Sequence, residues 1–414
     1  MDLIKEYKEM LNEAGMHEIF MTDFIETRAA INGFKEFNPI LQLMSGDKVM
    51  FKFRDKFIAL VKVGKCIIDG ANIIVSHLDS PRLDVMTGQP MIEKEDGVFL
   101  KVIPYGGIIA QSWLDRPLAL VGRFMTKDGQ VLYVDTRDKF DFTISSLLPH
   151  LDGRKEMKEL KFEKLLVRIG NNKKDNIIEK MKEDLGIEEE NFAFAELSFV
   201  PSDKVREMGF DKELLAGYGH DDKSCAFAEL QAFFDAENTD RTQMAIFASY
   251  EETGSAQNTG CRSEFIDDIF LDLIGSAKFA RDAIKNSCVI SADVCAAFES
   301  TYSNHFEDAA KAISGKGTAI VPYLGRKSGN DSDFEFRNKI KLLADKHEIK
   351  YSIETTKVSE GGGGTVSTFF ATKGCRVIDI GVPVLAMHSP QELIAKTDLI
   401  ETYKMYKLFY EEME

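Results

Sequence analysis

AIFASYEETGS, residues 245–255, is the stretch on which the fold turns. A short apolar run breaks at Ser249 into two adjacent glutamates and a Gly-containing turn, which predicts a buried strand with carboxylates at its carboxyl end. The same layout recurs in IIVSHLDSP (73–81), CVISADV (288–294) and RVIDIGVPVLAMHSP (376–390), where apolar runs lead to His77 and Asp79, to Asp293 and to His388. Open α/β sheets bind ligands at the carboxyl ends of their strands. Four separated strand ends are therefore expected to meet at one crevice.

Outward from these strands, periodicity predicts helices over 222–235, 267–276 and 333–346 and from about 398, interleaved with strands at 244–249, 288–291, 351–354 and 376–380. The N-terminal residues 2–15 carry Leu3, Ile4, Tyr7, Met10 and Leu11 on one helical face; a second helical pattern follows Thr22, and strands are expected at 49–53, 57–63 and 73–75. Such alternation predicts an α/β fold, a mixed β-sheet sandwiched by helices. Residues 86–216 differ, with Gly and short β-like runs at 98–103, 118–124 and 131–134 and then a highly charged stretch from 154 to 191. They read as an inserted, mostly-β domain between 1–85 and 217–414.

With 414 residues, 44% hydrophobic and 29% charged, the chain is neither disordered nor fibrous. A net charge of −16 without a basic stripe argues against nucleic acid and anionic membrane surfaces as partners. Cys66, Cys225, Cys261, Cys288, Cys295 and Cys375 form no C-x-x-C pair, which argues against a disulfide framework and a thiolate zinc site and fits a reducing compartment. The opening MDLIKEYKEMLNEAG lacks the basic start and apolar run of a signal peptide, and no stretch approaches the ~20 apolar residues of a membrane span. A cytoplasmic location is expected.

The polar residues at the strand ends are two imidazoles and several carboxylates, a donor set for zinc, cobalt or manganese in a hydrolytic site. A pair of ions ~3.5–4 Å apart needs a shared ligand, and a carboxylate can bridge them. Asp221, in YGHDDKSCAF at the start of a predicted helix, is the candidate bridge. One ion would then take His77 and Asp293, the other Glu252 and His388, leaving Glu251 as general base beside a metal-bound water. Asp79 is expected to orient His77 and raise its basicity. Taken singly, Asp79 also suits a turn before Pro81, while Glu251-Glu252 and Asp221-Asp222 read equally as solvated pairs; Glu188-Glu189-Glu190 reads as one. Gly361–Gly364 fits a hinge as well as an active-site loop.

The segments SHLDSP (76–81), SYEETGS (249–255), SADV (291–294) and LAMHS (385–389), in this order and spacing, resemble the aspartyl aminopeptidase and vacuolar aminopeptidase I family of binuclear zinc metallopeptidases. The resemblance spans essentially the whole chain. It implies the same ligand set and base, peptide substrates with a free N-terminus, a catalytic domain built from both ends of the chain, an inserted dimerisation domain, and a homododecamer of dimers. Several positions depart from acid-selective relatives: Met86 stands where Lys is common, Asp222 follows the bridging Asp in place of Asn, and Glu299-Ser300-Thr301 replaces an H-P-N. Val321 stands at a Lys position, and Arg154 at a family His soon after Pro149-His150-Leu151. Preference for N-terminal Asp or Glu is therefore not implied. Rival readings are a carboxypeptidase, a deacylase or glutamyl-peptide hydrolase of the same fold, or a catalytically silent assembly protein.

Overall fold

The computed structural model describes residues 2–148, 150, 160–323, 331–355, 357 and 364–413. Pro149, Leu151, Arg154 and Gly361–Gly363 lie outside the described residues. Every residue of the strands Ala71–His77, Thr242–Ala248 and Cys288–Ser291 is buried, the mark of central strands covered on both faces.

In chain order the strands begin with β1 (Lys35–Glu36), β2 (Lys48–Phe53), β3 (Phe57–Lys62) and β4 (Ala71–His77). There follow β5 (Arg82–Val85), β6 (Met91–Lys94), β7 (Gly97–Tyr105), β8 (Leu118–Met125), β9 (Val131–Asp135), β10 (Leu166–Gly170) and β11 (Glu196–Pro201). Next come β12 (Arg206–Met208), β13 (Leu214–Gly217), β14 (Thr242–Ala248), β15 (Cys288–Ser291), β16 (Cys295–Ala296) and β17 (Thr318–Tyr323). The last are β18 (Tyr351–Thr355), β19 (Arg376–Gly381), β20 (Pro383–Leu385) and β21 (Glu392–Ala395).

The chain divides into two compact units, one of residues 1–79, 205–387 and 392–414, the other of residues 80–204 and 388–391. The first holds a nine-stranded mixed sheet in the order β1-β2-β3-β14-β4-β15-β19-β17-β18. Its centre, β14-β4-β15-β19, is parallel, with Ala248 beside His77 and Ser291 beside Val75, so these strands end side by side. Side chains alternate across the sheet. Ile74, Ala245, Phe247 and Ile290 enter one core with Phe227 and Phe233 of the helix His220–Asp235 and Tyr406, Phe409 and Tyr410 of the helix Lys396–Glu412. Ile73, Val75, Met244 and Ile246 enter the opposite core with Ile269 and Phe270 of the helix Phe265–Ile274. A small sheet, β12-β13-β21-β20-β16, completes this unit.

The second unit is a seven-stranded antiparallel sheet, β10-β7-β5-β11-β8-β9, with β6 on β7. Its limits lie earlier in the chain than the 86–216 read from composition. Arg82–Val85 pairs with β7 and β11, and β12 and β13 pair toward β21, so pairing partners, not composition, set the boundaries. All six cysteines are free thiols. Among the described residues no helix is long and apolar enough to cross a membrane.

Candidate metal centre

His77 is the last residue of β4 and sits beside Ala248 of β14, while Leu78 donates to Ala248 O at 2.8 Å and Ala292 to Val75 O at 2.8 Å. This register places the turn after β14, with Glu251 and Glu252, and the turn after β15, with Asp293, on either side of His77. The helix His220–Asp235 supplies the remaining carboxylates. Its start is capped by Gly219 in the left-handed region (φ 78°), and Asp221 and Asp222 follow with non-helical backbone, joined by a cis peptide bond. Acidic residues in a first helical turn also meet the positive end of the helix dipole.

His77 is buried, and its Nε2 lies 3.3 Å from Asp221 Oδ1 and 3.6 Å from Asp293 Oδ1. Its Nδ1 faces the backbone oxygen of Asp79 at 3.1 Å and that residue's Oδ1 at 3.4 Å. The shorter carboxylate contacts of Asp79 go elsewhere: its two oxygens accept the backbone N–H groups of Glu251 and Glu252, each at 3.2 Å. Asp79, fully buried, thus ties the glutamate turn to the His77 strand. Asp221 in turn donates its N–H to Glu392 Oε2 at 3.0 Å.

Two overlapping donor groups result, His77 with Asp221 and Glu252 and His77 with Asp222 and Asp293, each with its ligand atoms within 4.8 Å of one another. The electrostatics are those of carboxylates crowded around one imidazole. Burial pushes the Glu251 carboxyl up to about 8, with Asp293 adding to it and His77 opposing. Burial likewise raises Asp222 and Asp293. At His77, burial works against the charged ring, but Asp221, Asp293 and Asp79 together hold it well above its ordinary value. Crowded buried carboxylates resist ionisation unless positive charge joins them. Among the described residues Asp222 Oδ1 is buried and meets no hydrogen-bond donor, which in a protein interior is costly unless an ion or water uses it. Imidazole with several carboxylates and no thiolate fits zinc.

Of the residues predicted from sequence, His77, Asp79, Asp221, Glu251, Glu252 and Asp293 belong to one compact unit, and His388 to the other. The expectation that His388 ends a strand begun at Arg376 is corrected: β19 stops at Gly381, β20 at Leu385, and His388 follows in a loop at φ 64° with Nδ1 2.8 Å from Gly107 O. Val382 and Pro383 carry the chain from the large sheet to the small one. Sequence reasoning also passed over Asp222. It is fully buried, and its Oδ2 accepts the His77 N–H at 3.1 Å, which a solvated pair would not do. Its apolar flank CAF was the available signal. Glu392, 1% exposed, gave none beyond its place in a β-like run.

The Aminopeptidase I zinc metalloprotease (M18) family profile matches residues 14–410. A probable M18 family aminopeptidase 1 of Borreliella burgdorferi is 35% identical over 99% of this chain and 97% of its own length. The crystal structure of an M18 family aminopeptidase from Thermotoga maritima superposes with a TM-score of 0.93 at 33% identity, covering 99% of this chain and 96% of that one. A dodecamer of yeast mature aminopeptidase 1 shares the fold at 18% identity and a TM-score of 0.82, over 99% and 96% of the two chains.

Proposed function

We propose a two-ion mechanism for this chain, which belongs to the aminopeptidase I zinc metalloprotease (M18) family and is a zinc aminopeptidase. The reading rests above all on His77, whose Nε2 faces Asp221 Oδ1 at 3.3 Å and Asp293 Oδ1 at 3.6 Å. In it Asp221 would be shared between the ions, His77 and Asp293 would hold one and Glu252 the other, with His388 assigned as a further ligand by its LAMHS motif alone. When bound, the ions supply Lewis acidity, polarising the scissile carbonyl and activating the attacking water. Glu251 takes a proton from that water on its carboxylate and delivers it to the leaving amine. Asp79 keeps Glu251 and Glu252 in register through their amide N–H groups. Carboxylates around the site favour a substrate with a free, positively charged α-amino group, so an acetylated N-terminus should not be cleaved.

The physiological ions are zinc in this proposal, with cobalt or manganese able to replace it. The 80–204 unit acts as a dimerisation domain in a homododecamer, and the open edge strand β9, with Tyr133 50% and Val131 42% exposed, supports that role. The enzyme works in the cytoplasm. Metal content of the purified protein, followed by a panel of free and acetylated aminoacyl reporters with Zn, Co and Mn after chelation, tests the reading. Equal cleavage of free and acetylated reporters would overturn it.

A further inference from the structure

A second set of buried charges, outside the donor groups, converges on the back of the glutamate turn. Lys56 lies between β2 and β3, its side chain only 7% exposed, and its Nζ is 3.2 Å from Oε1 of fully buried Glu18 at the start of the helix Glu18–Ile31. Nδ1 of buried His17 lies 3.2 Å from Oε2 of the same glutamate. The Lys56 ammonium also donates to the Tyr250 hydroxyl at 3.2 Å and sits 4.9 Å from the centre of that ring, while Lys56 O accepts the Ser249 hydroxyl at 2.6 Å. Lys56 therefore grips both residues that precede Glu251.

Tyr250 is where such a grip matters. Its φ is 61°, in the left-handed region that a bulky side chain rarely adopts and that persists only where surroundings enforce it. Its carbonyl accepts the Ser255 N–H at 2.7 Å, closing the turn, and Asp79 receives the two amides that follow. A buried ion pair is poor evidence of added stability, since desolvation offsets its attraction, and fixing geometry is its better attested use.

We infer that Lys56, held by Glu18, and Tyr250 are positioning residues that lock the Tyr250–Glu252 turn and so aim Glu251 and Glu252. The inference rests on the assignment of those two glutamates made above. Tyr250→Phe removes only the hydroxyl. With zinc saturating, its kcat on a free aminoacyl reporter should fall about tenfold with KM within about twofold, a loss in keeping with small misplacement of a reacting group. Zinc affinity, read by competition with a chromophoric chelator, should fall with it, while the melting temperature stays within about 2 °C. Glu18→Gln/Lys56→Met removes both buried charges and should match that loss; adding Tyr250→Phe to it should cost no more. Losses that multiply, a Tyr250→Phe kcat within twofold of wild type, or a kcat loss accounted for by a lower melting temperature would overturn the positioning role. Glu251→Gln is assayed alongside: near-normal turnover there removes the base assignment, whereas zinc affinity in Tyr250→Phe still reads the hold on Glu252.

Discussion

Glu251 and its neighbour Glu252 differ by one backbone step yet are proposed to take different roles, and substitution separates them. Glu251→Gln should keep its metal and lose activity by about 10²–10⁴, the range for a general base, read as kcat beside metal content per chain. Glu252→Ala should lose metal as well as activity. A residue away from the site shows the protonation cost of burial. Lys62, 3% exposed, donates to Ala236 O at 2.6 Å, and burial lowers its pKa from 10.5 to about 8, with Lys48 adding to it. Between pH 8 and 10.5 the unfolded chain holds a proton that the folded chain sheds, so this contribution to stability is full above 10.5 and lost as pH falls through 8. From pH 8 to 10 the unfolding free energy of wild type relative to Lys62→Met should rise by about 1–2 kcal/mol, measured by denaturant titration. At this scale the sequence disclosed residues whose chemistry is unusual at a strand end: His77, Glu251, Glu252 and Asp293. It hid Asp222, Glu392, Glu18 and Lys56, because a charged residue looks solvated until distant segments are known to cover it.

Among elements, β19 and the turn after β15 are pressed together: a Cβ on Gly381 would come 1.8 Å from Asp293 O and 3.1 Å from Cys225 Sγ. Backbone cannot yield there as a flexible side chain would. Gly381→Ala should displace Asp293, lowering zinc affinity and stability together by an amount typical of overpacking, about 1–3 kcal/mol, measured by chelator competition and thermal unfolding. The central strands and the helices of the large sheet were legible because their apolar runs and 3.6-residue periods are long; 288–291 matches β15 residue for residue. The strand Thr318–Tyr323 was not, its run being short and cut by Pro322. Nor were the helix Ala277–Lys285, which follows the preceding one after Gly275 and Ser276, and Lys174–Leu185, lost in a charged stretch. The loop at His388 was missed because 376–390 reads as one apolar run, while Gly381 and Pro383 break it between two sheets.

For the whole molecule, the proposed metal centre implies that a chelator would leave Asp221, Asp222, Glu251, Glu252 and Asp293 crowded around one imidazole with no cation to offset them. Chelation should therefore lower both activity and melting temperature, and zinc should restore both, since a ligand that binds only the folded state stabilises it by mass action. Unchanged thermal unfolding after complete metal removal would contradict this. The existence of an insertion was legible in composition, but its limits were not, because β5 follows β4 closely yet pairs with β7 and β11, and β13, which carries β12 at its side, finds its partner β21 almost two hundred residues later. That separation also orders events on the ribosome. The stretch 80–204 emerges as a nearly complete sheet while the unit around it still lacks β14, β15 and β19, leaving β4 with a bare edge on each side. Domains fold as they are synthesised. The nascent chain therefore carries an unfinished strand ladder until β14 and β15 are made, and the carboxylates nearest His77 can come together only after Asp293 has emerged.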